Sequence, residues 1–145
     1  MLPEFHREDW VRLDLNPARV IARYLQVQMD LGSVEVDAVL IDTGSALPLL
    51  APEAEAARCV DLASCPPSTV STAGGDVKAR QFEATIRLGE WTFSGVEVHA
   101  SPRFERWIIG IPVLKHFNLM LRDPVVHAPV LWGPRSRIHD GARWI

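Results

Sequence analysis

A mostly β fold with one short helix is what this 145-residue sequence predicts. Two observations carry the prediction. Residues 24–31 alternate in polarity, with Leu25, Val27, Met29 and Leu31 on one face and Tyr24, Gln26, Gln28 and Asp30 on the other, the two-residue period of a half-buried strand. Residues 82–88 and 91–100 flank Gly89-Glu90 and alternate again, for example Val96 and Val98 against Glu97 and His99, as the arms of a hairpin would. The length suits a single domain, and 48 % hydrophobic with 23 % charged residues is the makeup of a globular protein.

Taken in order, the elements follow from local chemistry. After the strand at 24–31, Gly32-Ser33 offers a turn and residues 34–41 return as a second strand, so this hairpin would deliver Asp42 to its end. Residues 52–58 place Pro first and acids early, as a short, exposed helix favours. Residues 59–70 carry two prolines and read as irregular. In residues 71–82 a Gly74-Gly75 pair sits between extended arms, the tip of a mobile hairpin. Trp107-Ile108-Ile109 is an apolar strand ending at Gly110, whose missing side chain would let one backbone pack against the Asp42 loop. Residues 113–117 make a helical turn or two after Pro112, and residues 119–121 a closing strand. Residues 124–137, with three prolines and Gly133, read as irregular.

Composition narrows the function classes. The longest apolar run, Ala38–Ile41, is far short of the roughly 20 residues that span a bilayer. The first residues lack a basic region followed by an apolar one, so the expectation is a cytoplasmic protein without a membrane partner. A net charge of −3, with both signs scattered and no basic block, argues against nucleic acid as a partner. Cys59 and Cys65 match neither a zinc knuckle nor a redox pair, and free thiols are favoured over a local disulfide. The five histidines, His6, His99, His116, His127 and His139, show no metal-ligand spacing, so no metal or other cofactor is expected. Packing is the expected role of Trp10, Trp91, Trp107, Trp132 and Trp144.

The chemistry concentrates at Leu40-Ile41-Asp42-Thr43-Gly44-Ser45, where a buried strand runs into a turn. Two carboxylates sharing one proton can polarise a water, one as base and the other as acid, because like charges a few ångströms apart cannot both ionise. Gly44 would turn tightly and donate its amide to the carboxylate; Thr43 could bond across a two-fold axis; Ser45 is a further possible donor. Asp42 is the only aspartate followed by Thr-Gly or Ser-Gly, and no internal repeat is visible, so one chain would supply half of such a pair.

Three segments in this order, residues 40–45, the glycine-bearing stretch around 72–82 and Ile108-Ile109-Gly110 leading into a helix, resemble the retropepsins, the single-domain aspartic proteases of retroviral type. The resemblance covers roughly residues 22–123, with 1–21 and 124–145 as N-terminal and C-terminal extensions. It implies a closed β-barrel-like fold with one lobe per chain. It also implies a homodimer whose two Asp42 carboxylates form the catalytic pair, braced by Thr43 and Gly44 with Ser45 supporting, and acting on an extended peptide or protein substrate. Thr72, Ala73, Gly74, Gly75 and Asp76 would form a flap over that peptide, Asp76 bringing a charge near it, and Ile108, Ile109 and Gly110 would support the fold. The alternative is a retropepsin-like module that binds peptide or dimerises without cutting. Residues 52–69 are longer than a minimal viral enzyme needs, and both termini lack a counterpart, although viral relatives build their dimer sheet from them.

Overall fold

The computed structural model describes residues 10–16 and 20–135, together with the backbone of residues 138–139. The expectations for His6, Trp144 and the first nine residues lie outside this set.

Strand β1 (Trp10–Asp14) leads to a short β2 (Ile21–Ala22) and then to the hairpin of β3 (Leu25–Met29) and β4 (Gly32–Val36). Leu25, Val27 and Met29 are buried, as their alternation requires. The turn falls two residues earlier than Gly32-Ser33. Gly32 pairs with Met29 inside the ladder, so Asp30-Leu31 forms the loop and Leu31, expected on the core face, is 75 % exposed. The second strand is also not continuous. It breaks at Asp37-Ala38, and β5 (Val39–Ile41) leaves β3 and β4 to lie between β2 and a later strand.

Beyond the Asp42 turn, β6 (Leu49–Pro52) runs into helix α1 (Glu53–Ala56), which buries Ala56 and exposes its acids to different degrees. Cys59 is buried and Cys65 partly so, both as free thiols. Residues 67–70 are not irregular. They belong to β7 (Pro67–Thr72), which among the described residues pairs with β8 (Gly75–Leu88) alone, and an edge strand tolerates Pro67 because no neighbour there needs its missing amide. Strand β8 is one 14-residue ribbon that unites the expected flap arm with the expected 82–88 strand, irregular only between Ala84 and Ile86. It turns at Gly89-Glu90 into β9 (Trp91–Ser101), as predicted.

The apolar strand β10 (Trp107–Ile109) pairs in parallel with β5 and antiparallel with β6. Helix α2 (Ile111–Leu114) follows, with Pro112 in its first turn where no intrahelical donor is lost, and β11 (Asn118–Met120) closes the run. The main sheet has the order β2-β5-β10-β6-β9-β8-β3-β4 and curls into a half-barrel around one core, in which Trp91, Trp107, Ile86 and Ile109 are almost wholly buried. A mostly β chain with two short helices is therefore the observed architecture.

The stretch read as irregular after residue 124 contains β12 (Val130–Pro134), which lies between β1 and β11 in a three-stranded sheet. The backbone of β13 (Ile138–His139) pairs in parallel with β9. Gly133 misleads in the sequence because it resembles a breaker. In the fold it is a close-approach residue: a Cβ there would sit 2.7 Å from Trp91 Cε2 and 2.8 Å from Phe117 Cδ1, on two rings whose centroids are 4.6 Å apart. Trp91 Nε1 also donates to Pro134 O at 2.7 Å, which fixes the indole under β12. Gly133→Ala should therefore cost about 1–3 kcal/mol by overpacking. A denaturation midpoint equal to that of the unmutated protein would contradict this packing.

Asp123 organises the connection from β11 to β12. Its Oδ1 accepts the Val125 amide at 2.7 Å and the Val126 amide at 3.3 Å, and its backbone carbonyl accepts from His127. The Val125 hydrogen bond holds the carboxyl below its ordinary range, helped by Val126, the Trp132 side chain and Arg12, and opposed by burial. A carboxyl depressed in the folded state stabilises the fold above its unfolded pKa, and that contribution is lost as pH falls through the folded value. Asp123→Asn should thus be the less stable protein near neutrality, with the gap narrowing below about pH 4. Denaturant midpoints measured across that range check it, and a gap that widens on acidification would reverse the sign.

Candidate functional site

Asp42 is set at the end of β5 by backbone hydrogen bonds from three directions. Ile41 N donates to Val20 O at 3.0 Å, Asp42 N donates to Ile109 O at 2.9 Å, and Ser45 N closes the turn onto Asp42 O at 3.2 Å. The Gly44 amide donates to Asp42 Oδ1 at 2.8 Å. No partner for Oδ2 occurs among the described residues. One oxygen is therefore oriented by the chain and the other is available to a ligand.

The loop after Asp42 is stitched to the end of β10. Gly110 N donates to Pro48 O at 3.0 Å and Ile111 N donates to Ser45 O at 2.9 Å. The two backbones meet so closely that a Cβ on Gly110 would lie 2.0 Å from Leu47 O and 2.7 Å from Ser45 O. The Ser45 hydroxyl faces its own loop, donating to Leu47 O at 3.3 Å, rather than the Asp42 carboxylate. Thr43 is exposed.

Strands β7 and β8 project over this loop as a hairpin. Its tip is Ala73-Gly74 rather than Gly74-Gly75, because Thr72 pairs with Gly75 in the ladder. The Thr72 hydroxyl donates to Gly75 O at 2.7 Å and accepts the Gly74 amide at 3.2 Å, bracing the turn. Ser71 Oγ donates to Asp76 Oδ1 at 3.2 Å, which occupies the carboxylate across the hairpin. At the hairpin root, Ser68 Oγ and the buried His99 Nδ1 are 2.8 Å apart. His99 Nε2 lies 3.1 Å from Glu97 Oε2 without the alignment of a hydrogen bond, and Gln81 Nε2 donates to Glu97 Oε1 at 2.6 Å.

Between hairpin and loop lies an open cleft of about 840 Å³. Of the residues singled out in the sequence, Asp42, Gly44, Ser45, Thr72, Ala73, Gly74 and Ile108 line it. Thr43, Gly75, Asp76, Ile109 and Gly110 do not. Ile109 points into the main core, and Ile108, its neighbour on the strand, takes the cleft side. The floor is a separate apolar cluster of Leu50, Val70, Ala79 and Phe104, with Leu47, Val77 and Ile108 against it. Sequence reasoning missed this floor and Arg103 beside it. Val70 and Val77 carried a readable signal, since they flank the hairpin tip at alternating positions, whereas Arg103 and Phe104 lie on a turn after β9 with no pattern to mark them.

Family profiles and curated proteins give no match to this sequence. Among solved structures, a retropepsin-like aspartic protease from Rickettsia conorii is similar to the chain with a TM-score of 0.62 and 17 % identity, covering 87 % of this chain and 92 % of that one. The fold is retropepsin-like. The half-barrel sheet with its two short helices is thus a known architecture, carried here by a sequence 17 % identical to that neighbour. No helix among the described residues is long and apolar enough to cross a membrane.

Proposed function

We propose that this protein is an aspartic endopeptidase that works as a homodimer, each chain contributing one Asp42 to a shared pair of carboxylates. The observation that carries the reading is the Asp42 carboxyl itself, held by the Gly44 amide through Oδ1 and lining a cleft of peptide-binding size with Oδ2 unclaimed. In the dimer, the two carboxyls would hold one proton between them. The ionised one takes a proton from a bound water, the water oxygen attacks the peptide carbonyl, and the protonated one donates to that carbonyl; the leaving amine is protonated as the carbon–nitrogen bond breaks. The exposed Thr43 hydroxyl is suited to bracing across the two-fold axis, and the Ala73-Gly74 tip to covering an extended peptide.

The fold's likeness to a protease and the lone Asp-Thr-Gly support this reading. Incubation with a diverse peptide mixture at acidic and neutral pH tests it. Products formed by the unmutated protein and absent with Asp42→Ala are expected; the same products from both proteins, or peptides bound and left whole, would favour the non-cutting module.

A further inference from the structure

Arg103 stands out in the cleft by its charge. Asp42 and Arg103 are the two formally charged residues among those lining it. The arginine is placed by its backbone, since its amide donates to the fully buried Ser101 Oγ at 3.1 Å and the next amide, Phe104 N, donates to Ser101 O at 3.2 Å. Phe104 is packed into the cleft floor, so the turn is anchored on both sides of Arg103. The guanidinium itself is exposed and has no ion-pair or hydrogen-bond partner among the described residues. Asp76, the acid the sequence placed near the substrate, is engaged by Ser71 and does not line the cleft.

We infer that Arg103 is a specificity-determining residue that selects substrates carrying an acidic side chain beside the scissile segment. The inference rests on the dimeric protease reading. In that dimer two Arg103 face one cleft against a carboxyl pair that shares a proton, so the cleft is net positive. Two-fold symmetry sets one Arg103 on each side of the scissile bond, so the preference falls at positions equally spaced from it. A planar guanidinium pairs with a carboxylate through two parallel hydrogen bonds, which makes Asp or Glu the fitting partner and a phosphorylated side chain a second source of the same anionic chemistry. The rest of the wall is apolar or neutral, and the remaining substrate positions are accordingly uncharged.

The test pairs cleavage with binding. Peptide sets that differ only by Glu, Gln, Lys or phosphoserine at each position are presented to the unmutated protein, Arg103→Ala and Arg103→Glu, and products are read by mass spectrometry. Glu over Gln should be favoured about fivefold at a symmetric pair of positions. That preference should vanish in Arg103→Ala and turn to Lys in Arg103→Glu. A larger effect for phosphoserine than for Glu would name the phosphorylated side chain as the preferred anion. An Asp42-dependent cleavage profile unchanged by either variant overturns the inference and leaves the protease reading standing. Without any Asp42-dependent cleavage the protease reading fails, and fluorescence anisotropy of the same labelled peptides then decides about Arg103: equal affinity of the unmutated protein and Arg103→Glu for the Glu peptide overturns it.

Discussion

Adding a ninefold excess of Asp42→Asn chains to the unmutated protein should lower its cleavage rate to about a tenth, because randomly exchanging chains leave that share of unmutated subunits facing one another. The reasoning runs from the residues. Each chain has one Asp-Thr-Gly, and its Asp42 has one oxygen fixed by Gly44. An asparagine keeps the shape and the Gly44 hydrogen bond but can neither take a proton from water nor share one, so a mixed pair lacks half of the acid–base machinery. By itself Asp42→Asn should lose at least about a thousandfold in rate while its folding is unaltered, a loss on the scale of acid–base catalysis. Undiminished cleavage in the mixture, under conditions where chains are seen to exchange, would show that a single chain suffices and sink the shared-site reading.

Gly110→Ala should be the most damaging alanine substitution among the described glycines. Its Cβ would stand 2.0 Å from Leu47 O and 2.7 Å from Ser45 O, and the loop that carries both is tied to this segment by Gly110 N donating to Pro48 O and Ile111 N donating to Ser45 O. Overpacking ordinarily costs about 1–3 kcal/mol, and here rigid backbone on both sides puts the cost at or above the upper end. The same distortion would shift Asp42, whose amide is bonded to Ile109 O. Chemical denaturation of the purified variant is the measurement. A midpoint within error of the unmutated protein would mean that the two segments are not locked together.

The sequence was most readable where structure depends on near neighbours. The alternation of Leu25, Val27 and Met29, the turn at Gly89-Glu90 and the Asp42 strand-turn needed no knowledge of distant partners. It was least readable where a distant partner decides. Pro67 is compatible with a strand only because β7 has a free edge, and Gly133 is compatible with one because Trp91 and Phe117 fill the space that its side chain would take. The break at Asp37-Ala38 has a similar origin: β5 must leave its hairpin to reach β2 and β10, and nothing local announces that exchange. At the cleft, the strand-turn that carries Asp42 and Gly44 was legible from its local pattern, whereas the hairpin tip fell one residue earlier than the Gly74-Gly75 pair suggested. Most of the cleft floor was not legible, because Leu50, Ala79 and Phe104 are ordinary apolar residues until folding gathers them beside Val70.

Strand β12 has β1 on one side and β11 on the other, so its hydrogen-bonding groups are satisfied within a single chain. All three strands of that sheet come from one subunit, with β1 and β11 as its outer edges among the described residues. Folding and association then become separate steps, and on the dimeric reading the protein could exist as an intact but inert half-site until its concentration brings two copies together. Abundance would act as the switch: in dilute solution, doubling the number of chains would raise the number of complete sites about fourfold, as mass action requires for a two-body encounter.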